Sequence, residues 1–118
     1  MRKDDLTRLR HMVEFAQGAL RFAGHRSRED LDHDQMLTLA LIKAIENVGE
    51  AACRLSPEFR ERHPEIPWPS IMGMRHKLVH AYFEVNLDMV WDTTVNELLP
   101  LIQAVERIIS TSRSSNLE

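Results

Sequence analysis

The chain has one cysteine in 118 residues, so no internal disulfide can form, and without CxxC pairs the usual structural zinc site is excluded. A reducing, cytoplasmic home is the default expectation. Long apolar runs are missing too: nowhere do eighteen such residues follow one another, so no membrane span is expected. The start, MRKDDLTRLRHM, carries charges throughout and has no apolar core of an export signal. A cationic excess is also lacking. Lys and Arg number 15 against 18 Asp and Glu, for a net charge of −3, so no global positive field announces a polyanion partner and any phosphate site must be local. There is no phosphate loop, no GxGxxG, no GxSxG elbow, no alternating strand pattern and no internal repeat.

What is present suits one soluble globular unit: 43% hydrophobic and 28% charged residues, at a length that fills one core. Leu6, Leu9, Val13, Ala16, Leu20 and Ala23 recur at helical steps, which predicts a first helix from Asp4, capped by Asp4 or Asp5, to a stop at Gly24. A second run, from about Asp30 to Leu55, carries Leu37, Leu41, Ala44, Ile45, Val48, Ala52 and Leu55. Met36, Leu39 and Ala40 widen its stripe enough to bury two faces.

Ser56-Pro57 suits an N-cap and first-turn proline for a short helix over 57–62, after which HPEIPWP must run extended. Helix is regained near Pro69, with Ile71, Met74, Leu78 and Val79 inward; Gly73 inside it suggests that another backbone passes close by. A last helix starts near Asn86, with Leu87, Val90, Trp91, Val95, Leu98, Ile102, Val105 and Ile109 inward and a kink at Pro100, which removes a donor and crowds Asn96. The expected architecture is all-α: an antiparallel four-helix bundle with a short extra helix over residues 1–110, and a polar tail outside the fold over 111–118.

The densest polar constellation is MRHKLVHAYF, which sets Arg75, His76, Lys77, His80 and the only tyrosine, Tyr82, within eight positions. Arg75 and Tyr82 share a helical face, whereas Arg75 and His80 lie about 140° apart around an ideal helix. Joining them requires a loosened helix, a long reach by Arg75, or a second protomer. A guanidinium and an imidazole together can cleave RNA through its own 2′-hydroxyl: one takes the proton and the other holds the crowded phosphorane. A plainer reading stays open, in which Arg75 and Lys77 are solvated charges and His80 is a hydrogen-bonded packing residue.

Other groups have plain explanations. His76 and His80 stand four apart, as two metal ligands would, but Lys77 replaces the glutamate of HExxH and no third ligand is evident, so no metal is expected. Glu46 and Glu50, flanked by Lys43 and Arg54 at helical spacing, read as a salt-bridged surface. Cys53 reads as a small buried thiol, and Trp68 and Trp91 as core or interface anchors.

The stretch EIPWPSIMGMRHKLVHAYF resembles the signature of the HepT-like branch of the HEPN superfamily, whose core pattern Arg-x4-His-x-Tyr is met by Arg75, His80 and Tyr82. IENVGEAACRLSPEFRERHPEIPW before it and VNLDMVWDTTVNELLPLIQ after it are similar to that branch as well, so the likeness runs from Asp4 to Ile109. The resemblance implies a homodimeric, all-helical toxin of a toxin–antitoxin pair: a metal-independent endoribonuclease needing no cofactor, working in a cleft between protomers. It implies further that Arg75 holds the phosphate and that His80 does acid–base work; His76 and Lys77 beside them are candidates for RNA binding or an accessory role. The antitoxin would be a minimal nucleotidyltransferase that transfers AMP from ATP to Tyr82. The position after the motif arginine, commonly Asn or Asp in HEPN nucleases, is His76 here. The alternative from another class is a noncatalytic helical module that only docks a nucleotidyltransferase.

Overall fold

A computed structural model describes residues 1–78 and 84–117, with side chains described through residue 112. The fold is all-α. Helix α1 spans Lys3–Ala23, α2 Asp30–His33, α3 Gln35–Cys53, α4 Pro57–Arg62, α5 Trp68–Met72, α6 Met74–Leu78, α7 Leu87–Asp92 and α8 Leu98–Leu117, with a π-helical turn, Thr93–Glu97, between the last two. Among the described residues no helix is long and apolar enough to cross a membrane.

Helix α1 packs along α3 and, on its other side, against α8. Leu9, Met12, Ala16 and Ala19 of α1 meet Leu41, Ile45, Val48 and Ala52 of α3 and Leu98, Ile102 and Val105 of α8 in one hydrophobic cluster. Small residues on α1 allow close approach while larger ones on its neighbours fill the space between. The turn after α1 falls on His25, whose φ of 63° lies in the left-handed region; Gly24, the expected stop, has an ordinary φ of −56°. Arg26 then bonds Asp30 and Asp34, at 3.3 and 2.7 Å, and Arg28 reaches Asp88 of α7 at 2.7 Å.

Several boundaries differ from the sequence reading for identifiable reasons. The run over 30–55 is split, because the Asp34 side chain accepts from the Leu37 amide at 3.0 Å and starts a fresh helix. Asp5 does not cap α1, whose N-cap is Arg2 without a side-chain bond. Instead its carboxylate, buried in the fold, accepts from both the amide and hydroxyl of Ser56, each at 2.8 Å. Ser56 in turn caps α4 by accepting from the Phe59 amide. The start of one helix is thus tied to the start of another.

The close backbone approach inferred at Gly73 occurs elsewhere. A Cβ on Gly73 would meet only Pro69 O of its own preceding turn, at 3.2 Å, whereas one on Gly49 would stand 2.8 Å from Ile71 O. Gly73 breaks the helix expected from Pro69, separating α5 from α6.

Pro100 acts upstream of itself. Lacking an amide hydrogen and crowding the carbonyl four residues back, it is preceded by the π-helical turn, which absorbs one extra residue. That residue rotates the inward face, so Thr93 and Thr94 are buried while Val95, read as a core position, is 41% exposed. The backbone of α8 continues to Leu117, through most of the segment read as a polar tail, for no proline or glycine stands there to stop it.

Candidate active site

The proline-rich segment anchors the site from one side. Trp68, 5% exposed, donates its indole N–H to His63 O at 2.9 Å and meets Phe59 edge-on, with ring centroids 6.1 Å apart. That fixes the start of α5. The break at Gly73 then launches α6, whose Met74 and Leu78 are buried while Arg75, His76 and Lys77 between them face outward. Two apolar pegs hold the short helix by its ends and present three basic side chains in succession.

Each of two cations on α6 has a partner. Arg75 Nε lies 3.7 Å from Glu46 Oε2 of α3, with 58% of the arginine side chain and 31% of the glutamate side chain exposed. Lys77 Nζ donates to Ser70 Oγ of α5 at 2.7 Å. The approach is at Nε, whereas the grip on a phosphate by paired hydrogen bonds can use the fork of the two Nη groups. His80 and Tyr82 lie outside the described residues, as does Val79, which was read as inward.

The other sequence candidates sort themselves by position. Glu50 pairs with Arg54 at 3.4 Å, as helical spacing predicts, but Glu46 turns to α6 rather than to Lys43. Cys53 is exposed rather than buried, since the last residue of α3 falls on its outer side. Trp68 is a core anchor and Trp91 is half-buried against the core. Among the described residues, no three His, Cys, Asp or Glu side chains gather closely enough to hold a metal ion.

Sequence reasoning missed Ser70 altogether and missed the partner, though not the presence, of Glu46. Ser70 stands seven positions before Lys77, and a continuous helix would place it two turns away on the same face. Glu46 carries a fainter signal, the glycine three positions after it. Glycine inside a long helix is costly and marks a place where something comes near. Here that is α5, and α6 follows it toward Glu46.

Residues 7–108 match the family described as Ribonuclease HepT-like. A protein of Caldanaerobacter subterraneus subsp. tengcongensis named "Putative RNase" is 36% identical over 105 residues, covering 89% of this chain and 94% of that protein. A Thermococcus cleftensis protein named "Probable ribonuclease HepT" is 38% identical over 80 residues, or 68% of this chain and 73% of its own length. One from Methanocaldococcus jannaschii, also named "Putative RNase", is 29% identical over 108 residues, 92% of this chain and 89% of that protein. No solved structure matches the chain significantly. With its all-α fold, its outward Arg75–Lys77 run and a family match over most of its length, the chain belongs to the HepT-like ribonuclease family.

Proposed function

We propose that this protein is a metal-independent endoribonuclease and the toxin of a toxin–antitoxin pair. The observation that carries the reading is the outward Arg75-His76-Lys77 run on α6, followed at family spacing by His80 and Tyr82. In the proposed reaction the imidazole of His80 takes the proton of a ribose 2′-hydroxyl. The 2′-oxygen attacks the adjacent phosphorus, the bond from phosphorus to the 5′-oxygen breaks, and that oxygen receives a proton. The products are a 2′,3′-cyclic phosphate and a 5′-hydroxyl. Arg75 stabilises the doubly charged phosphorane, a role for which a two-pronged donor is suited. Lys77, held by Ser70, and His76 contribute to RNA binding.

Control is proposed to fall on Tyr82. A nucleotidyltransferase partner directs the phenol oxygen to the α-phosphorus of ATP, releasing pyrophosphate and leaving AMP on the tyrosine. The added phosphate is negative where RNA phosphate must sit, so charge and bulk both oppose binding. A homodimer accords with the outer face of α3, where Met36 and Leu39 are 84% and 55% exposed on the helix that also carries Glu46.

The chain purified without its partner and free of AMP is expected to cut single-stranded RNA in EDTA, leaving cyclic phosphate ends. Proton transfer by a positioned histidine is worth about 10² to 10⁴ in rate, so His80→Ala is expected to lose nearly all cleavage. Undiminished cutting by that variant sinks the mechanism. Tyr82→Phe is expected to keep cleavage and to gain no mass on incubation with partner and ATP, whereas the parent gains AMP units.

The net charge of −3 favours one rival, a noncatalytic module that docks a nucleotidyltransferase. Salt separates the two. RNA held through phosphates is released as counterions return, whereas a mainly apolar docking interface weakens far less.

A further inference from the structure

We infer that Glu46 is the positioning residue for Arg75, setting the guanidinium so that its paired Nη groups meet the scissile phosphate. The inference rests on the ribonuclease reading above and goes beyond it, since Glu46 stands on a different helix, 29 positions before the motif arginine. An arginine side chain that is 58% exposed has many rotamers open to it, and a phosphorane needs one of them. The Glu46 carboxylate, 3.7 Å from Nε, favours rotamers that turn the opposite edge of the guanidinium outward. It does so from a rigid base. Glu46 lies one turn before Gly49, where the absence of a Cβ lets the α5 backbone come against α3. Ile45 just before it and Val48 two positions after it are both fully buried.

The same carboxylate partly neutralises Arg75, so its two effects on the reaction oppose each other. It aims the cation while weakening its general attraction for phosphates. Removing its charge should therefore slow the chemical step without weakening RNA binding, which a loss of structure would not do.

The experiment uses the full-length chain without partner, with single-stranded RNA in EDTA for kcat and KM and a 2′-O-methyl RNA of the same sequence for binding. Glu46→Gln is expected to lower kcat by about tenfold to a hundredfold, the scale on which small misplacements act. KM and binding of the uncleavable RNA should be unchanged or tighter. Glu46→Asp, with its charge drawn back by one methylene, should fall between, and provides the same readout if Glu46→Gln folds poorly. Glu50→Gln, one turn along the same helix and paired with Arg54, should cut like the parent. In an Arg75→Lys background, which lacks the Nε edge, adding Glu46→Gln should change kcat less than twofold.

A Glu46→Gln kcat within twofold of the parent overturns the inference, as does an equal loss in the Arg75→Lys background. A rise in kcat/KM overturns it as well, by making Glu46 a competitor of RNA phosphate. These results are distinct from failure of the underlying reading, which shows itself when the parent does not cut RNA or when Arg75→Ala cuts as well as the parent.

Discussion

A side chain of even one carbon at Gly49 would be 2.8 Å from the carbonyl oxygen of Ile71, so the contact of α3 with α5 is made backbone to backbone. Relief of such a clash means moving α5, and α6 with it. Gly49→Ala is therefore expected to destabilise the fold by about 1 to 3 kcal/mol, the usual cost of overpacking, despite alanine's better helix propensity. Gly18 is the control. Its nearest foreign atom is the end of the flexible Arg21 side chain at 3.7 Å, so Gly18→Ala should stabilise α1 by up to about 1 kcal/mol. Thermal unfolding of the two variants should move in opposite directions; a Gly49→Ala midpoint above the parent's would refute the close-approach account.

Asp5 makes a second prediction. Its carboxylate serves both the amide and hydroxyl of Ser56 while only 4% exposed, so removal strands two donors at the start of α4. Asp5→Ala is expected to cost about 2 kcal/mol, in the range for hydrogen bonds to a charged group. Ser56→Ala should cost a comparable amount, because it keeps the amide bond to Asp5 but loses both the hydroxyl bond and the cap on the Phe59 amide. Chemical denaturation of both variants checks the two costs.

Acid provides a third. The Ser27 amide and then the Arg26 guanidinium hold Asp30 below the usual carboxylate range, and the Leu37 amide and then Arg26 do the same for Asp34. A carboxylate with a lowered folded-state pKa contributes stability that is complete above its unfolded value and is lost as pH falls through the folded one. Stability should thus decline below about pH 4. Asp30→Asn and Asp34→Asn should flatten that decline in unfolding midpoints measured from about pH 2 to about pH 6, the window of ordinary carboxylate titration. Unaltered acid profiles for both variants would contradict the assignment.

The proposed homodimer makes a fourth. If the outer face of α3 is its seam, Leu39→Glu and Met36→Lys should shift the species seen by sedimentation from dimer toward monomer. Leu99→Glu, at a comparably exposed apolar position on α8, should leave it unchanged. A dimer that ignores both α3 substitutions must use another face.

Features set by a few adjacent residues were legible from the sequence. Ser56-Pro57 and Asn86 mark helix starts because their side chains bond amides three residues on, within reach of local reasoning. Asp5 looked like a cap for the same reason, yet its carboxylate serves a helix start 51 residues away, which spacing within α1 cannot reveal. The site divides likewise. Arg75, His76 and Lys77 were picked out by their crowding in the sequence, but Glu46 was matched to the nearest cations on its own helix. Only the packing of α5 and α6 against α3 decides that Arg75, rather than Lys43, is its partner.

Val95 was misjudged through a single extra residue, and that residue has a wider consequence. With the π-helical turn between them, α7 and α8 are two rods with independent phases, offset by about 100° from a continuous spiral. Shortening 93–97 by one position would leave each rod intact while swinging the first about the second by more than a quarter of a circle. The length of that joint, as much as its chemistry, therefore sets the direction from which α7 approaches α8.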